Sequence, residues 1–171
     1  MVGLLTPAVI GSLLLAVLST TADYVWFLNI PGHQVSSGLI HGATLFTVLG
    51  AYLGWRKGSI GAGIVGGLLS GLVAAGSFYV LAPFGGYNVM LVSWLLLWIM
   101  LAALQTYLDG HFDIAKAIGR GIITAVVAAV GFGVVLFQLY RGWPPATFPA
   151  FTHFIAWTVA YLPGLYVLLK R

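Results

Sequence analysis

Hydrophobic residues run along this chain in six long blocks, which short polar or glycine- and proline-containing breaks separate. A helix needs roughly 20 mostly apolar residues to cross the hydrocarbon core of a bilayer, and each block supplies about that number. The pattern therefore predicts six membrane-spanning helices, near residues 7–29, 36–54, 59–83, 89–108, 120–140 and 150–169.

The breaks contain residues that end a helix or suit the headgroup region. They are Pro31-Gly32, Arg56-Lys57-Gly58, Pro83 to Gly86, Asp109-Gly110-His111 and Gly142 to Pro145. The first block lacks a basic start and a small-residue cleavage site, so we interpret it as a retained helix and not as a secretory signal. The loops are short, and the sequence predicts one integral membrane domain over residues 1–171 with an all-α fold.

Composition supports lipid as the surroundings of this bundle. Hydrophobic residues make up 61% of the chain and charged residues only 6%, whereas soluble domains carry about a quarter charged residues. The net charge of +4 forms no patch, which argues against nucleic acid as a partner. The absence of cysteine excludes disulfides, thiolate metal sites and cysteine nucleophiles.

Lysine and arginine predict the orientation, because cytoplasmic loops of membrane proteins carry an excess of both. If both termini lie inside, the outer side receives only Arg141. The inner side then receives the other six basic residues: Arg56, Lys57, Lys116, Arg120, Lys170 and Arg171. We therefore expect both termini on the inner side of a bacterial or archaeal cytoplasmic membrane.

Small residues recur at every fourth position on two of the predicted helices. The third carries Ser59, Gly63, Gly67, Gly71 and Ala75, and the fifth carries Gly121, Ala125, Ala129 and Gly133. This spacing places them on one helix face, where missing side chains let two backbones approach closely. We expect packing within the bundle, or a homo-oligomer or larger complex that uses Gly63, Gly67 and Gly71 together with Ala125, Ala129 and Gly133.

Polar side chains concentrate at similar depth in the outer half of the predicted bundle. With a helical rise of 1.5 Å per residue, Asp23, His41 and His153 lie roughly 6 to 10 Å to the outer side of their helix midpoints. Ser77, Tyr79, Ser93 and Gln138 fall in the same half, and His33 lies in the adjoining outer loop. The inner half contains little polar besides Gln105. This distribution predicts an outward-facing polar pocket, with Asp23, His33, His41, Tyr79, Gln138 and His153 as ligand-binding residues.

The ionisable members of this set allow three kinds of chemistry. Asp23, His41 and His153 are suited to bind a divalent transition metal. The same groups could bind a small molecule or relay protons, because histidine titrates near neutrality. A purely structural alternative is a hydrogen bond between Asp23 and His41 that holds the first two helices together.

A second polar cluster, Asp109, His111 and Asp113, lies in the predicted inner loop. Its alternating spacing could present three metal ligands. We favour a simpler interpretation, in which Asp109-Gly110 ends one helix and Asp113 caps the start of a short interfacial helix.

Four functions fit these features. The first is a small transporter or permease for a small solute or cation, because embedded ionisable residues usually line a pathway. The second is a metal-dependent membrane enzyme that acts on a lipid or isoprenoid from the outer leaflet. The third is a b-type haem protein with His41 and His153 as axial ligands. The fourth is a non-catalytic subunit of a membrane complex.

Overall fold

The computed structural model describes residues 2–28, 34–139 and 149–170. These residues form six α-helices and, between the third and fourth, a short 3-10 turn at Gly86–Asn88. The helices are α1 (Val2–Phe27), α2 (Gln34–Arg56), α3 (Ile60–Gly85), α4 (Val89–Leu108), α5 (Ile114–Leu139) and α6 (Ala150–Leu169). All six are long and apolar enough to span a membrane. The all-α, six-helix prediction is confirmed, and the described residues contain no strand.

The start of α5 differs from the prediction. A separate interfacial helix was expected before a span beginning near residue 120, but one continuous helix runs from Ile114 to Leu139. Asp113 caps its start, since Oδ1 accepts a hydrogen bond from the backbone N–H of Lys116 at 3.0 Å. Lys116 and Arg120 fit within the continuous helix because long basic side chains can extend to the headgroups while their stems stay in apolar surroundings.

The helices form a closed ring in chain order, with α6 packed against α1. Among neighbours in the ring, α2 and α3 make the most extensive contact and α1 and α2 the least. We call the end of the bundle that holds the start of α1 and the end of α6 the base, and the opposite end, predicted to be outer, the mouth. Large apolar side chains fill the interior toward the base: Leu15, Leu49, Leu53, Leu101, Leu165 and Leu168.

Glycine brings the backbones of α2 and α3 into direct contact. A Cβ at Gly67 would overlap the carbonyl oxygen of Phe46, and one at Gly71 would overlap that of Gly42. Gly50 and Gly63 are equally close to each other. The stripe on α3 therefore packs within the chain, and the prediction that Gly63, Gly67 and Gly71 join a second protomer is wrong because α2 already covers them.

The small residues of the stripe on α5 differ in their burial and in what they contact. A Cβ at Gly121 would meet the backbone of Ile99 in α4, and Ala125 is buried. Ala129 is half-buried, whereas a Cβ at Gly133 would meet nothing within 4 Å. A role of Ala125, Ala129 and Gly133 in an oligomer stays a prediction.

An ion pair closes the base between α2 and α4. Lys57, just after α2, pairs with Asp109 at the end of α4, and both side chains are largely shielded from solvent. Gln105 is buried one turn earlier, and its Nε2 lies 3.4 Å from Asp109 Oδ1. Partly buried pairs of this kind contribute modestly to stability.

Asp109→Asn is expected to lower the stability of the detergent-solubilised protein by about 1 kcal/mol, because it removes the charge that faces Lys57. Thermal unfolding followed by circular dichroism measures the change. Asp113→Asn is the matched control, since asparagine caps a helix as well as aspartate does. Equal losses in the two variants would contradict a specific role for the ion pair.

Candidate functional site

A cavity of about 810 Å³ lies in the mouth half of the bundle, and all six helices contribute to its wall. Most of the wall is apolar or aromatic. Its side chains with hydrogen-bonding groups include Asp23 of α1, His41 of α2, Tyr79 of α3, Ser93 of α4 and His153 of α6. The cavity therefore combines the size of an organic ligand site with a few polar groups.

The structure brings together four of the residues that the sequence singled out. Asp23, His41, Tyr79 and His153 come from four helices and line the same cavity. Their depth along the helices was sufficient to group them, although their role in ligand binding stays a prediction. His33 and the side chain of Gln138 lie outside the part of the chain that the structure describes.

Asp23 joins α1 to α6 through two hydrogen bonds to one carboxylate oxygen. His153 donates its Nδ1–H to Oδ2 at 2.8 Å, and Trp157 donates its Nε1–H to the same oxygen at 2.6 Å. The two donors are four residues apart, so one face of α6 presents both to α1. Both hydrogen bonds go to Oδ2, and no residue in the described ranges donates one to Oδ1.

The structure does not form the alternative hydrogen bond between Asp23 and His41. Nε2 of His41 is buried and has no hydrogen-bond partner among the described residues. Asp23 turns to α6 because this helix supplies two N–H donors at helical spacing, whereas α2 supplies a single imidazole. An unpartnered buried nitrogen in a cavity wall indicates a place where a ligand or water completes the hydrogen bonding.

Aromatic rings form the deeper wall beside this carboxylate. Trp157 stacks on Tyr161 with ring centroids 5.4 Å apart and contacts Phe132 at 4.4 Å. The ring centroids of Trp94 and Trp157 are 6.1 Å apart. Hydrogen bonds fix two of the rings, since Tyr161 shares one with Ser19 at 2.9 Å and Trp94 donates to the carbonyl of Ala125 at 3.2 Å.

Sequence reasoning missed these aromatic residues as part of the site. A usable signal was present, because His153, Trp157 and Tyr161 follow one another at intervals of four along one helix face.

The predicted metal chemistry gains no support from the arrangement. Within residues 2–28, 34–139 and 149–170, no group of three histidine or acidic side chains could hold a metal ion. In the second cluster, Asp109 pairs with Lys57 and Asp113 caps α5. His111 Nδ1 lies 3.1 Å from the carbonyl oxygen of Asp109, a local loop contact. Asp109 ends α4 and Asp113 caps a helix, as the simpler interpretation predicted, but the capped helix is α5 itself and not a separate interfacial helix.

No protein-family model, curated protein or solved structure matches this chain.

Proposed function

We propose that this protein transports a small organic solute and that the cavity in its mouth half is the substrate site. The observation that carries the proposal is a cavity lined by all six helices that contains a partly buried ionisable cluster, above a base that side chains fill. Ionisable groups are costly inside a membrane and usually mark a substrate or proton pathway. A cavity in one half of the bundle above a filled half resembles one end state of alternating access.

The size and walls of the cavity favour an organic solute over an inorganic ion. Its volume of about 810 Å³ falls in the range of roughly 300 to 1,000 Å³ that is typical of sites for drug-sized ligands. An inorganic ion requires several oxygen ligands to replace its water, whereas this wall offers mainly carbon. The few polar groups suffice to orient a larger molecule.

Uneven packing around the ring suggests where the bundle would move. The backbone contact between α2 and α3 makes these two helices one rigid unit, and the Asp23 hydrogen bonds join α1 to α6. The sparser contact between α1 and α2 includes a hydrogen bond near the base, from the Tyr52 hydroxyl to the carbonyl of Pro7 at 2.7 Å. Transport would open the base along this seam, as rocking of one helix unit against another does in other carriers.

Uptake into proteoliposomes tests the proposal with a panel of labelled organic cations, neutral solutes and anions. Asp23→Asn is expected to reduce uptake of the transported solute by at least about tenfold, because hydrogen bonds to charged groups contribute roughly 1.5 to 3 kcal/mol. Asp113→Asn makes the same chemical change at an exposed helix cap and should leave uptake near the wild-type rate. Unchanged uptake by Asp23→Asn contradicts the site, and no uptake of any class by the wild type contradicts transport.

A second candidate function follows from the closed base. A membrane enzyme that draws a lipid or isoprenoid from the outer leaflet needs no exit through the base, and Nε2 of His41 is unpartnered and suited to act as a general base. Incubation of the purified protein with membrane lipids, followed by mass spectrometry, distinguishes the two functions. A chemically altered lipid without solute flux would favour the enzyme.

A further inference from the structure

We propose that the ligand of the cavity is an organic ammonium ion with apolar substituents, held by the Asp23 carboxylate and surrounded by aromatic rings. This inference deepens the proposed function by assigning a substrate class to the same site. Binding can be measured without transport, so the two proposals can fail separately.

The charge of the wall favours a cation. Asp23 is the single carboxylate among the described residues that line the cavity, and none of them is lysine or arginine. Trp157 and the neutral form of His153 stabilise the negative charge by hydrogen bonds but do not cancel it. A carboxylate in apolar surroundings is costly unless a cation or proton accompanies it. An anionic ligand would add to this charge, whereas a cation would compensate it at Oδ1.

The aromatic content of the wall suits a bulky, weakly hydrated cation. Each of the six helices contributes at least one ring to the wall: Phe27, Phe46, Phe78, Tyr79, Trp94, Phe132, Trp157 and Tyr161. The negative face of an aromatic ring attracts a cation, tryptophan most strongly, and groups of such rings recognise quaternary ammonium ions. Trp157 joins the carboxylate to this group of rings, because it lines the wall and its N–H binds Asp23.

A proton on His153 competes with this ligand. Protonated His153 is itself a cation 2.8 Å from Asp23 Oδ2, so one carboxylate would face two positive charges once the ligand entered. The other titratable groups that line the cavity are His41 of α2, Tyr79 of α3 and Tyr161 of α6, and the lining residues described in α4 and α5 include none. Protonation of either histidine adds positive charge, so binding of a cation should weaken as the pH falls.

Three probes of similar shape test the charge preference of the full-length protein in detergent. Benzyltrimethylammonium is the cation, neopentylbenzene is its uncharged carbon isostere, and phenylacetate is the anion. Quenching of tryptophan fluorescence reports occupancy beside Trp94 and Trp157. We expect the cation to bind at least about tenfold more tightly than the other two probes and to lose affinity as the pH is lowered.

Asp23→Asn should reduce the affinity for benzyltrimethylammonium by at least about tenfold and leave that for neopentylbenzene unchanged. Asp109→Asn, which alters a carboxylate at the base, should change neither. Equal affinity of the wild type for the cation and its isostere overturns the inference, as does tighter binding of phenylacetate. These two results require no variant, so they decide the matter even if Asp23→Asn does not fold.

The results also separate ligand class from function. Selective binding of the cation without uptake by proteoliposomes would refute transport and support the ligand class. Uptake of a neutral or anionic solute, with no binding of the cation, would support transport and refute the ligand class.

Discussion

Replacing Gly67 with leucine is expected to prevent α2 and α3 from packing together and to leave the protein largely misfolded. Even a Cβ at this position would overlap the carbonyl oxygen of Phe46, and its next neighbours are the Cα of Gly50 and the carbonyl carbon of Phe46. Neither helix can rotate a side chain away to make room. Excess volume in a packed core costs about 1 to 3 kcal/mol, and leucine at a backbone contact should exceed that range.

The yield of monodisperse protein after size-exclusion chromatography, together with its melting temperature, measures the effect. Gly67→Ala should show a smaller loss in the same direction. Gly61→Leu and Gly76→Leu are matched controls in the same helix, because a Cβ at either position would meet nothing within 4 Å. If all three leucine variants behaved alike, sensitivity to any added bulk in α3 would explain the loss better than contact with α2.

Trp157→Phe is expected to destabilise the protein by about 2 kcal/mol. The indole N–H donates a hydrogen bond of 2.6 Å to the Asp23 carboxylate, and phenylalanine removes this donor while keeping a ring beside Phe132 and Tyr161. Charge-assisted hydrogen bonds are roughly twice as strong as neutral ones. Thermal or denaturant unfolding in one detergent measures the loss.

Trp94→Phe is the control for Trp157→Phe, because the Trp94 indole donates at 3.2 Å to an uncharged acceptor, the backbone carbonyl of Ala125. We expect a loss of about 0.5 to 1.5 kcal/mol there. A double-mutant cycle with Asp23→Asn should show that the two losses at Asp23 and Trp157 are less than additive. Full additivity would show that the hydrogen bond does not couple these residues energetically.

Sequence reasoning located the helices well because bilayer thickness sets the length of each apolar block. The bounds of α4 and α6 agree with the prediction, whereas α1 and α5 begin earlier than expected. The error at α5 arose at Lys116 and Arg120, which were assigned to a surface segment. A charged residue near the end of a membrane helix does not end it if its side chain can reach the headgroups.

The sequence predicted the depth of the candidate-site residues in the membrane, but not which of them contact one another. Asp23, His41 and His153 could be assigned to one level of the membrane from the helical rise alone. Which of them contact one another depends on the order of the helices around the ring, and no pattern within a single helix contains that order. The sequence suggested His41 as the partner of Asp23, and the structure instead has His153 and Trp157 of α6.

For the glycine stripe on α3, too, the sequence predicted a contact but not its partner. Its spacing on α3 predicted a close helix contact, because glycine at every fourth position exposes backbone along one face. The choice between another protomer and α2 depended on a matching surface, which Gly42, Gly50 and Gly54 provide on α2.

The sequence by itself thus determined a bundle of six apolar helices and the level at which its polar groups lie. Both follow from the free energy of transfer between water and lipid, which acts on each residue according to depth. Only the tertiary structure decided that α6 pairs with α1, that α2 covers the glycines of α3, and that eight phenylalanine, tyrosine and tryptophan rings line the cavity that contains Asp23. The physical reason is that lateral contacts in lipid depend on van der Waals fit and hydrogen bonding between helices far apart in the chain.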